Sequence, residues 1–127
     1  MWTITRTESQ CSVDAEDSRT PAGRVQVTAV NKTNTSVTFD IWRIAEEATY
    51  AQLAAHIDEE NDLAEAGQEG LGPPAFVGEL TRLEVGAGVS RSTMATMRSG
   101  TYAVVSIRTL EQAGMRPFAI VGPLAVE

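Results

Sequence analysis

The sequence predicts an all-β sandwich into which one helix is inserted, over about residues 49–66. Short runs of β-forming residues recur along the chain with period-two alternation, and Gly, Pro or Asn turns bound each run. Only one segment has helical periodicity. At 127 residues, 43% hydrophobic and 21% charged, the chain has the size and composition of a single folded domain spanning 1–127.

Trp2-Thr-Ile-Thr-Arg-Thr alternates and reads as the first strand. Residues 8–20 are polar and read as a loop carrying Cys11, closed by a Pro21-Ala-Gly23 turn. Arg24 to Val30 is a clear strand, with Val25, Val27 and Ala29 on one face and Arg24, Gln26 and Thr28 on the other. After the Asn31-Lys-Thr-Asn34 turn, Ser36 to Ile44 alternates again. Val37, Phe39, Ile41 and Arg43 share one face; Trp42 and Ile44 share the other with Thr38 and Asp40. An apolar far end on that second face predicts that the next element covers it.

That next element is the helix. Thr49 can cap it and Gln52 completes a capping box. Tyr50, Leu53, Ala54, Ile57 and Ala64 form its apolar stripe, and Gly67 stops it. Asp58, Glu59, Glu60, Asp62 and Glu65 load negative charge toward the C-terminal end, where the helix dipole disfavours it. The second half is therefore expected to fray, or else to hold something cationic.

Gln68 to Gly78 reads as a Gly/Pro-rich connection and Leu80 to Val85 as a short strand. After the Gly86-Ala-Gly88 turn, Val89 to Met97 is a strand with Val89, Arg91, Thr93, Ala95 and Met97 on one face. Thr101 to Ile107 is rich in β-formers, residues 108–116 read as a loop, and Pro117 to Val126 is the last strand. Proline cannot donate to a ladder, so Gly122-Pro123 predicts a bulge or a sheet edge.

A formal net charge of −7 disfavours nucleic acid and anionic lipid as partners. No apolar run reaches the roughly 18 residues of a membrane helix, so no transmembrane segment is expected. No leader is legible, because Trp2 to Arg6 is followed by polar residues. If Met1 is the native start, the cytoplasm is the expected location. Cys11 is the single cysteine, which excludes an internal disulfide and any CxxC motif. Neighbouring carboxylates are expected to keep this free thiol protonated and poorly nucleophilic.

The order of elements, with Cys11, Pro21-Ala-Gly23, Met97-Arg-Ser-Gly-Thr-Tyr102 and Gly114-Met115, resembles the secreted bacterial cupredoxin-like (plastocyanin-like) family, including the cupredoxin-like domain of iron-uptake lipoproteins. The resemblance implies a Greek-key β-sandwich of cupredoxin-like topology and an extracytoplasmic, secreted or cell-envelope location. It covers nearly the whole chain by order of elements; only 97–106 and 114–115 are moderately specific. It also implies a blue-copper site, which needs two His nitrogens, a Cys thiolate and a weak axial Met. Here the Cys position is Ser106, the loop Arg108 to Gly114 has no His, and the first-His position near Ser36 has none. Met115 alone remains. One histidine, His56, cannot supply two ligands within one chain. In the iron-uptake relatives the early cysteine pairs with the closing-strand cysteine; Cys11 matches the first position and Ser106 replaces the second. Cys11 is thus a relic thiol or, in the alternative, links a homodimer.

Outside those remnant positions, His56, Glu59 and Glu60 share a helix face and form a weak acidic patch for a metal, against the plainer reading of a solvated face. Asn31-Lys-Thr33 and Asn34-Thr-Ser36 fit the glycosylation pattern and are expected to stay unmodified in a bacterial protein. No Gly-x-Ser-x-Gly elbow and no phosphate-binding loop occurs. The expected function is a non-catalytic module without cofactor that binds another protein or a small ligand, not an enzyme. The alternative is a weak metal-binding or metal-trafficking protein for copper or iron.

Overall fold

The computed structural model describes residues 1–15, 20–110 and 114–127. The strands are β1 (Trp2–Arg6), β2 (Cys11–Ala15), β3 (Gly23–Asn31), β4 (Val37–Ile44), β5 (Val77–Val85), β6 (Ser90–Met97), β7 (Gly100–Leu110) and β8 (Gly114–Val126), with helix α1 (Tyr50–Glu65) between β4 and β5. They form two four-stranded sheets, ordered β2-β1-β3-β6 and β5-β4-β7-β8. β1 runs parallel to β3 and the other pairings are antiparallel. This is the expected sandwich with its inserted helix.

The period-two pattern decides which residues meet. Trp2 and Ile4 of β1, Val25, Val27 and Ala29 of β3, Val37, Phe39 and Ile41 of β4, and Tyr102 and Val104 of β7 fill the space between the sheets. The Trp2 and Tyr102 rings meet edge to face with centroids 6.2 Å apart, setting β1 opposite β7. Tyr102 donates its hydroxyl to the Arg98 carbonyl at 2.8 Å, and Trp2 Nε1 donates to Thr20 Oγ1 at 2.8 Å, so both polar ends are satisfied. A second core lies on the outer face of the β5-β4-β7-β8 sheet: Trp42, Ile44, Ala103, Val105 and Ile107 receive Leu53 and Ile57 of α1. The sequence placed Trp42 and Ile44 on that covered face. The capping box forms, with Thr49 Oγ1 accepting from Gln52 N–H and Gln52 Oε1 from Thr49 N–H. Gly67 follows the helix with φ of 67°, the left-handed stop.

Four expectations change. Cys11 to Ala15 is a strand at the sheet edge, not loop: Cys11, Val13 and Ala15 pack on the inner core while Ser12 and Asp14 stay outside. An edge strand with one wet face carries so few apolar residues that its alternation is easily hidden. β5 begins at Val77 rather than Leu80, its register carried past a bulge beside Ile41 and Trp42. β7 and β8 extend to Leu110 and from Gly114, taking in most of the expected 108–116 loop. The expected loops also contain residues 16–19 and 111–113, which lie outside the described residues. Finally, α1 holds its full length to Glu65; its acidic half finds a cation in Arg116 of β8. The Gly122-Pro123 expectation stands: β8 is an edge strand and the ladder shifts register opposite Ala103.

Candidate functional site

Leu53 and Ile57 press α1 onto the outer sheet face, and Gly72-Pro73 closes over the helix's second half. Between them a cavity of about 110 Å³ remains. Trp42, Val105, Ile107 and Ile57 form its apolar walls, and Met115 and Pro117 of β8 line one side.

The charged groups around this cavity are each committed to a partner. Asp40 is buried and faces Arg82 across the ladder. Arg82 grips it with two bonds, Nε to Oδ1 at 2.7 Å and Nη2 to Oδ2 at 2.9 Å, and this holds Arg82 above the ordinary arginine value. Glu60 is also buried. Its Oε1 accepts from the Leu71 and Gly72 N–H groups and its Oε2 lies 3.5 Å from Arg116 Nε. Arg116 further donates Nη1 to the Gln68 carbonyl at 2.7 Å and Nη2 to the Glu60 carbonyl at 3.1 Å. One guanidinium thus ties the end of α1 to the following loop. The close approach needs a glycine at Gly70, where a Cβ would lie 2.7 Å from Glu60 Oε2 and 3.0 Å from Arg116 Cζ. His56 Nε2 lies 2.7 Å from the Gly72 carbonyl; a carbonyl only accepts, so Nε2 carries the proton. Among the described residues, two buried donors at the cavity have no hydrogen-bond acceptor: Arg116 Nε, which has only its ion pair with Glu60, and the uncharged Trp42 Nε1–H.

Of the residues singled out in the sequence, His56, Glu60 and Met115 line this one cavity, and Glu59 is exposed beside it. Ser106 is fully buried on the opposite face of β7, in line with the inward-facing Tyr102 and Val104, and its Oγ has no partner. The hydroxyl, imidazole and thioether therefore do not converge, and they do not fit a type-1 copper donor set. Among the described residues no three His, Cys, Asp or Glu side chains gather as a metal site. Trp42, Asp40, Arg82 and Arg116 were not expected at a site. Alternation put Trp42 and Asp40 on the helix-covered face, but which cations meet the buried carboxylates depends on register between distant strands.

Cys11 lies in the other sheet, half-buried beside Arg6. Burial pushes its thiol up to about 11, with Arg6 pulling the other way. The thiol is protonated, as expected, but burial rather than neighbouring carboxylates is the cause. Relative to the ordinary value of 9.0, this predicts alkylation by iodoacetamide at pH 8 about a hundredfold slower in the folded chain than in urea. The folded rate should climb with pH toward about 11. Equal rates in both states would contradict it.

No family model and no curated protein matches the chain. Two solved structures are similar to it. One is the dithionite-reduced auracyanin from the photosynthetic bacterium Roseiflexus castenholzii, at 24% identity and a TM-score of 0.48, covering 82% of this chain and 81% of that one. The other is auracyanin B, at 16% identity and a TM-score of 0.44, covering 82% of this chain and 74% of that one.

Proposed function

We propose that this chain is a non-catalytic, exported binding module on a cupredoxin-like sandwich, without a type-1 copper site, and that it takes a small ligand in the cavity under α1. The ligand has a compact apolar body and one hydrogen-bond acceptor. The buried, acceptor-less Trp42 Nε1–H in an apolar cavity wall is the observation that carries this reading. An indole N–H left dry costs about 1–3 kcal/mol, which an entering acceptor recovers. Catalysis is disfavoured because Asp40 and Glu60 are each held by a partner and, although the His56 Nε2–H bond leaves Nδ1 free as a base, no Ser, Thr or Cys lines the cavity among the described residues to serve as its nucleophile. Copper or iron trafficking is disfavoured because Glu60, the one buried carboxylate near His56 on the helix, is spent on Arg116 and two backbone N–H groups.

Cyclohexanone is a suitable probe, with methylcyclohexane as its acceptor-free control. On titration into ¹⁵N-labelled protein, the Trp42 indole cross-peak should shift saturably with the ketone and not with the hydrocarbon. The Trp2 peak, already bonded to Thr20, should stay still. An unmoved Trp42 peak, or equal shifts with both compounds, would sink the assignment. Export is checked separately: the coding sequence upstream of Trp2 should contain a cleavable leader.

A further inference from the structure

At the end of the sandwich interior, away from the helix-covered cavity, the apolar core gives way to cations. Along β1 the inward positions run Trp2, Ile4, Arg6; along β7 they run Tyr102, Val104, Ser106, Arg108. The Trp2–Tyr102 contact aligns the two series, so Arg6 comes level with Ser106 and Arg108. Arg6 is only 8% exposed, yet its Nε and Nη1 have no hydrogen-bond partner. Ser106 Oγ and Arg108 Nε are likewise buried and unpartnered. Among the described residues no carboxylate pairs with either arginine; the nearby Glu8 instead accepts from the Asn34 N–H at 3.4 Å.

One compensation is visible. The Arg6 Cζ sits 3.5 Å from the centroid of the Phe118 ring. A cation–π contact falls short of what a buried ion loses on leaving water. Burial and the Arg108 charge both push Arg6 below the ordinary arginine value, against the opposing pull of Cys11 and Glu8. Stacking also uses only the face of the guanidinium. Its in-plane N–H groups remain free, in the fork geometry that matches two oxygens of one anion.

We propose that Arg6, Ser106 and Arg108 form a binding site for a small oxyanion, with Arg6 gripping two oxygens, Arg108 supplying a second charge and the Ser106 hydroxyl a further donor. Arg108 is half-buried and connects the cluster to solvent. The site lies on the inner face of β7 and is independent of the Trp42 cavity on the outer face.

The test follows the arginine Nε–Hε resonances of the full chain by NMR. Sodium acetate and sodium phosphate are titrated separately against sodium chloride at matched ionic strength. The Arg6 and Arg108 signals should move saturably, with half-saturation on the order of 1 mM. A response to acetate alone identifies a carboxylate ligand, to phosphate alone a tetrahedral one, and to both an oxyanion site without that selection. Arg6→Met should weaken the response at least about tenfold and Ser106→Ala about threefold. Should Arg6→Met fail to fold, Arg108→Gln carries the test with the same expected direction. Shifts no larger than in chloride, or unchanged in Arg6→Met and Arg108→Gln, would overturn the proposal.

Discussion

Replacing Arg116 with methionine should lower the unfolding free energy by about 3–5 kcal/mol, because it leaves the buried Glu60 carboxylate without its counter-charge. The Gln68 carbonyl loses its donor in the same step, and the Glu60 carbonyl loses one of its bonds. Five acidic side chains then crowd the last half of α1 with nothing cationic at its end, so that half should melt first. Urea denaturation followed by circular dichroism reads the loss, and amide hydrogen exchange at residues 60–66 locates it. Adding Glu60→Met should restore part of the stability, since an apolar pair costs less than an orphaned charge. If Arg116→Met unfolds at the wild-type urea midpoint, the tether is not structural. If the double variant is no better than the single, the loss comes from the two carbonyls rather than from the carboxylate.

A second large effect is expected at Asn31. Its side chain is 1% exposed. Nδ2 donates to the carbonyls of Thr35 at 2.7 Å, Val85 at 3.0 Å and Gly86 at 3.1 Å, while Oδ1 accepts from the Thr33 N–H at 2.9 Å and the Thr33 hydroxyl at 2.7 Å. This one amide joins the β3–β4 turn to the end of β5. Asn31→Asp is nearly isosteric but turns the donor into an anion facing three carbonyl oxygens. It should cost about 3 kcal/mol or more at neutral pH. Those carbonyls and burial raise the new carboxyl above its unfolded value of about 3.9. Its penalty should therefore be smallest below about pH 4 and grow as pH rises from there. A pH-independent loss, or none, would refute this role. The same burial bears on the two acceptor patterns: the Asn31 amide is spent on three carbonyls, whereas Asn34 is exposed.

Asn31 shows why some of the site escaped the sequence. In the string it is the first residue of a polar turn and a glycosylation match. Nothing local says that its amide reaches residues 54 and 55 positions away. The Arg82–Asp40 and Arg116–Glu60 pairs are hidden for the same reason, since they span 42 and 56 positions. The expected fraying of α1 rested on charges within the helix alone; the offsetting cation comes from the far end of the chain. What depended on local chemistry was readable: the capping box at Thr49, the stop at Gly67, the inward faces of β3 and β4, and Trp42 and Ile44 beneath a covering element.

The sequence by itself therefore determined the class of fold and the faces of its elements, because hydrophobic alternation, capping and turn chemistry act over a few residues. It also determined that one histidine and one cysteine cannot make a two-histidine copper centre in this chain, since counting needs no coordinates. Only the tertiary structure decided that His56 and Met115 share one cavity while Ser106 faces the other way, that Arg116 pairs with Glu60 of the helix, and that Arg6 Nε and Nη1 and Arg108 Nε are buried without a hydrogen-bond acceptor among the described residues. These facts turn on which strand lies opposite which and in what register, and a one-residue slip would send each side chain to the other face.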